Sequence, residues 1–171
     1  MLLKEQKPET ELYKEAVAIS CCFLGIFLFL SLVSYVLPIF AAQPALPGAG
    51  ENWCGNVGFY TAFYLFSFVG VISFFPVFLL FYVAVAVFTF SANLDRLPLI
   101  IAGGTGTLLA ASGLLAGAEQ AFFPSEFILP GGYLGNLLRG GLESALGTAG
   151  SLLLLVLLLI FSLMASIRFS P

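Results

Sequence analysis

Four stretches of this chain contain no Asp, Glu, Lys or Arg: Ala16 to Gly50, Asn52 to Leu94, Leu97 to Ala118 and Ser144 to Ile167. Each is long enough to cross a hydrocarbon core, which takes about 20 helical residues. Only 9% of the 171 residues are charged, against roughly 25% in a soluble domain, too few to cover a water-facing surface. A hydrophobic content of 60% and a mean hydropathy of +1.08 point the same way. The expected fold is an all-α membrane protein with four transmembrane helices and interfacial amphipathic helical segments, both termini cytoplasmic.

Missing residue types exclude much chemistry. There is no histidine, which removes His-ligated haem, copper and zinc sites and a Ser-His-Asp mechanism. No carboxylate or base lies inside an expected span, so the usual groups of proton relays and voltage sensors are lacking. Lys4, Lys7 and Lys14 are interleaved with Glu5, Glu9, Glu11 and Glu15, which makes a poor face for duplex DNA. Cys21 and Cys22 sit inside the first apolar run as small hydrophobic side chains, and Cys54 lies in a loop. No CxxC or mixed Cys/His spacing supports a metal site or a disulfide framework. No metal or cofactor is expected in this chain.

Residues 1–15 form a polar cytoplasmic arm, and residues 16–167 the transmembrane domain, with spans at about 16–40, 64–90, 98–118 and 145–167. A cleaved signal peptide is the competing reading of the first run, but its apolar region should be about 7–15 residues long behind a basic leader. The run here is longer and its leader mixed in charge. Val57 to Phe90 would measure about 51 Å as one helix, too long for one straight crossing of a core of about 30 Å. Pro76 is expected to kink it or end one part of it. Two readings stay open: an interfacial lead-in from Gly58 followed by one tilted span, which is favoured, or two short spans folded back near Ser73-Phe74-Phe75-Pro76. Residues 91–98 are a polar turn.

In the third span Ala102, Gly106 and Ala110 recur every four residues, and Gly113 and Gly117 form a GxxxG pair. Such residues let membrane helices approach closely; packing within one subunit is the favoured reading and dimerisation the alternative. Further on, Leu134, Leu137, Leu138, Leu142 and Ala145 share one helical stripe, with Asn136, Arg139 and Glu143 opposite. That pattern predicts an interfacial amphipathic helix, weakened by its glycines and dependent on neighbours. The centre of the last span, Leu152 to Ile160, has no small or polar contact residue and is expected to face lipid. Lys4, Lys7, Lys14, Arg96 and Arg168 fall on one side of a four-span topology and only Arg139 on the other, which puts both ends in the cytoplasm by the positive-inside rule. Residues 168–171 are then a short cytoplasmic tail, expected to lead to a linker and motor.

Two glycine-rich segments carry a resemblance. Asn52-Trp53-Cys54-Gly55-Asn56-Val57-Gly58, followed by Gly70 and Pro76, resembles the second membrane segment of the FtsK/SpoIIIE DNA translocases. Gly131-Gly132-Tyr133-Leu134-Gly135, continuing through Gly147 and Gly150 into a Leu-rich span, is similar to that family's third loop and fourth helix. The four-helix plan also resembles their N-terminal membrane domain, over roughly residues 16 to 166. The resemblance implies a bacterial inner-membrane anchor that gathers at the division septum, meets division proteins there and carries, through a linker, a hexameric motor that pumps DNA with ATP and Mg. No GxxxxGK[ST] loop occurs here: Gly103-Gly104-Thr105-Gly106-Thr107 lacks the lysine and falls in an apolar span. DNA binding, ATP hydrolysis and oligomerisation are therefore expected of a motor continuing beyond Pro171 or on a separate chain. Nineteen phenylalanines set the chain apart from relatives expected to be richer in Leu and Ala. The alternatives are a small multi-pass transporter or channel component, disfavoured by the uncharged spans and the lack of an internal repeat, and an orphan membrane scaffold.

Overall fold

A computed structural model describes residues 6–39, 47–89, 97–117 and 130–167. The loop at 41–46, most of the polar turn at 91–98, the acidic loop containing Glu119 and Glu126, and the 168–171 tail fall outside the described residues. Those described form five α-helices: α1 (Gln6–Val36), α2 (Gly55–Val69), α3 (Phe75–Thr89), α4 (Leu97–Ala116) and α5 (Gly132–Ile167), with 3-10 turns at Ala49–Glu51 and Gly70–Phe74. Four continuous helical runs are long and apolar enough to cross a membrane: Leu12–Val36, Gly55–Phe88, Leu99–Ala116 and Gly132–Ser166.

α1 begins inside the polar arm and stops two residues before Pro38, whose ring disfavours a helical residue before it. α3 packs along α1 in the opposite sense. Val77 shares a core cluster with Leu32 and Tyr35, the Phe81 ring lies on Gly25, and Val83 and Val87 cluster with Ala18. α2 behaves differently. It starts beside Phe27 and Ser31, and brings Phe59, Phe63 and Phe66 to the ring of Tyr35, with centroids 5.8, 6.4 and 5.8 Å away. α2 therefore travels in the same sense as α1, covering about 18 Å from Cys54 to Phe66 while α1 advances about 12 Å from Phe27 to Tyr35. It runs obliquely to α1, and it barely touches α3.

The reversal between α2 and α3 is at Gly70, with φ 74° and ψ −146°, a conformation open to glycine and costly for residues with a Cβ. The break expected at Pro76 thus lies six residues earlier, and Pro76 occupies the first turn of α3, where a missing N–H costs nothing. Gly70–Phe74 and α3 together measure about 32 Å, the depth of a hydrocarbon core.

α4 and α5 form the most extensive helix pair. The backbone of Gly103 meets Ser162 and Ser166, Gly106 meets the Ser162 side chain, and Gly113 meets Leu155. α5 has two parts, residues 132–146 and 148–167, separated at Gly147 (φ 71°, ψ 173°). In the second part Leu155 is buried against α4, while Leu152, Leu153, Leu154, Leu157 and Leu158 are exposed, as expected of a lipid-facing helix.

Ala18, Val87, Ile100 and Ser166 lie towards one end of the bundle, here called the base, and Ile39, Gly70, Ser112 and Pro130 towards the other, the crown. Two units share this frame: α1 with α2 and α3, and α4 with α5. A Cβ on Gly103 would stand 2.6 Å from the Ser166 nitrogen and 2.8 Å from the Ser162 carbonyl oxygen, so Gly103→Ala is expected to force α4 off α5 at a cost of about 1–3 kcal/mol. Thermal unfolding in detergent should show the loss as a lower Tm and folded yield. A monomer of unchanged Tm that no longer oligomerises would instead make this seam an intersubunit face.

Candidate functional site

The glycines and polar residues singled out from the sequence gather in two places near the crown. At the first, Asn52 is buried between the start of α2 and the side of α1. Its Nδ2 donates to the Ser31 carbonyl at 3.0 Å, and its Oδ1 accepts from the Cys54 N–H at 2.9 Å. The Trp53 N–H donates to Ser34 Oγ at 3.1 Å, and the Cys54 thiol points to the Phe27 carbonyl. Gly55, at φ 64°, turns the chain into α2 and gives its N–H to the Asn52 carbonyl at 2.8 Å. Gly58 leaves room for this knot, since a Cβ there would come within 2.6 Å of Asn52 Oδ1 and 2.8 Å of Ser31 Oγ. One asparagine thus gives the Cys54 N–H an acceptor and ties the start of α2 to the Ser31 carbonyl of α1, both ends of its amide being used.

The second place joins the two units. The Val71 N–H donates to the Pro130 carbonyl at 2.9 Å, and Ser112 Oγ to the Val69 carbonyl at 3.3 Å. Gly132, at φ 61°, presses its Cα onto Gly70 and Phe68: a Cβ would stand 2.6 Å from the Gly70 nitrogen and 2.6 Å from the Phe68 carbonyl oxygen. Gly131 and Gly135 both sit on the Ser112 carbonyl, with no space for a Cβ. The joint between the units is therefore backbone against backbone where Gly132 of one motif segment meets Gly70 of the other, while Gly131 and Gly135 seat the start of α5 on Ser112 of α4.

Three motif positions lie apart from both places. Pro76 starts α3, Gly147 is the bend in α5 with nothing near its Cβ direction, and Gly150 follows one turn on, against Leu146. Beside the joint, the Arg139 guanidinium packs directly on Gly117 at the end of α4 and makes an ion pair with Glu143 at 2.8 Å. A cation suits a helix C-terminus. The (i, i+4) pair itself contributes little, about 0.5 kcal/mol. Leu137, on the opposite side, is exposed.

Sequence reasoning missed Ser31, Ser34, Ser112, Pro130 and Gly103. Isolated serines in an apolar run give no signal until the returning chain supplies their partners. Ser31 and Ser112 are fully buried all the same. Among the described residues no group of three or more His, Cys, Asp or Glu stands close enough to hold a metal ion. Both clusters are geometric devices made of backbone, amide and hydroxyl, which hold the crown together and present no nucleophile beside a base.

A family model described as the 4TM region of DNA translocase FtsK/SpoIIIE matches residues 10–171. No curated protein and no solved structure matches the chain.

Proposed function

Since the chain belongs to the 4TM-region family of the FtsK/SpoIIIE DNA translocases, we propose that it directs such a translocase to the division septum and holds it there. The observation that carries this reading is the extent of the match, which takes in all four membrane-capable runs, so that the likeness belongs to the whole bundle. The match supports a multi-pass inner-membrane anchor of the translocase family.

In this reading the base is cytoplasmic. Five of the six Lys and Arg residues fall on that side of the four-span topology, the bias that sets orientation in membranes. Division proteins are then met at the crown, through the segments around Asn52 and Gly132. DNA, ATP with its Mg, and assembly into a ring are the business of a motor outside residues 1–171, and this domain performs no catalytic step of its own. The test is a fluorescent fusion of residues 1–171 in dividing cells. Enrichment at mid-cell, in step with constriction, is the expected result. An even distribution around the envelope of constricting cells would overturn the septal role.

A further inference from the structure

α2 carries no charged residue, yet it exposes a continuous stripe of large side chains: Trp53 just before it, then Val57, Tyr60, Tyr64 and Phe68. Their spacing of three and four residues puts them on one face. The other face, Gly58, Ala62, Phe66 and Val69, is buried. Among the described residues neither the Trp53 indole N–H nor the Tyr60 and Tyr64 hydroxyls have a protein partner.

Two environments fit this stripe badly. In water it would be an uncharged apolar patch on a helix with nothing to cover it. In the hydrocarbon core three polar groups would go without hydrogen bonds, at several kcal/mol each. The headgroup boundary satisfies both demands, because an indole or phenol keeps its ring in the apolar layer and its polar atom in the wet one. The position of α2 agrees. Asn52 is pinned beside Ser31, little more than one helical turn below the end of the Leu12–Val36 run, and α2 then rises obliquely to Gly70, where the next crossing begins.

We propose that α2 is a re-entrant interfacial helix whose face of Trp53, Val57, Tyr60, Tyr64 and Phe68 is inserted among the phospholipids of the leaflet at the crown. The Gly55–Phe88 run then contains a single crossing, from Gly70 downward, and a second, shallow hold on the bilayer. This requires only the membrane and is independent of the septal role.

Trp53 is the only tryptophan, so its emission reports the stripe without labelling. The full chain is reconstituted in phosphatidylethanolamine and phosphatidylglycerol vesicles containing lipids brominated either near the headgroup or near the terminal methyl. The shallow bromines should quench most, and the emission should lie to the blue of a tryptophan in water. A second protein, Trp53→Phe combined with Tyr64→Trp, moves the reporter about 17 Å along α2. It too should be quenched most by the shallow bromines, its depth shifted by well under that length. Strongest quenching by the deep bromines at either position would overturn the proposal in favour of an upright crossing. Quenching by aqueous acrylamide alone would make the face water-exposed. Protection from both quenchers would mean that a second copy or another protein covers it.

Discussion

Gly132→Ala is expected to be the most damaging small substitution in this chain. It places one methyl group 2.6 Å from the Gly70 nitrogen and 2.6 Å from the Phe68 carbonyl oxygen. Both belong to backbone held by the Val71 bond to Pro130 and the Ser112 bond to Val69. No side chain is there to swing aside. The residue also sits at φ 61°, a conformation costing roughly 1–2 kcal/mol once a Cβ is present. Overpacking adds about 1–3 kcal/mol, for a total of about 2–5 kcal/mol. In detergent the variant should show a lowered Tm and a reduced folded fraction by size-exclusion chromatography. Gly140→Ala is the control of opposite sign. Gly140 is an exposed helical glycine with nothing within 4 Å of its Cβ direction, and alanine there should stabilise by about 0.5–1 kcal/mol. If both substitutions had equal effects, the close approach at Gly132 would not be what joins the two units.

The second large effect is expected from Asn52→Leu, which keeps the branching and heavy-atom count of the side chain and removes the amide. The Cys54 N–H loses its acceptor next to the positive-φ Gly55, and the hold on the Ser31 carbonyl is lost. Stranding a buried donor costs about 1–3 kcal/mol, to which a second lost bond adds about 1 kcal/mol. The start of α2 should then detach from α1. Thermal unfolding should give the lower stability, and a change in Trp53 emission the local loosening. Asn56→Ala, at an exposed position one turn on, should stay within about 0.5 kcal/mol of the parent. A parent-like Tm for Asn52→Leu would show that the knot around Asn52 does not secure α2.

The crossings were legible because exclusion of charge is written locally: a run of residues either avoids Asp, Glu, Lys and Arg or it does not. The helix over residues 134–145 was legible from its period, although its Arg139 turns out to pack on Gly117 of α4. The path between Val57 and Phe90 was harder. Pro76 is the conspicuous breaker, but proline is harmless in a first turn, and the reversal rests on Gly70, whose φ depends on what lies across from it. Across from it is Gly132, far along the chain, and no local pattern links the two. The close approach of α4 to α5 could be expected from Gly106 and Gly113, whereas Gly103, which meets backbone, lay outside the four-residue repeat. Asn52 stood out as a polar residue in an uncharged stretch. Its partners did not, since Ser31 and Ser34 become special only when the 51–54 segment returns to them.

The division into two units bears on how the chain is made. α1 finds its main partners in α2 and α3, and α4 in α5, so most of the bundle is built from segments that leave the ribosome one after another. Contacts between neighbours in sequence form quickly because little loop entropy is lost in closing them. The contacts of the first three helices with one another, the Asn52 knot included, involve no residue beyond Leu97. What waits is the seam across the crown. The Val71 N–H cannot meet the Pro130 carbonyl, nor Gly70 meet Gly132, until the second pair has entered the bilayer. The seam is thus the last part of the bundle that can close, a clasp of bare backbone that needs both units in place.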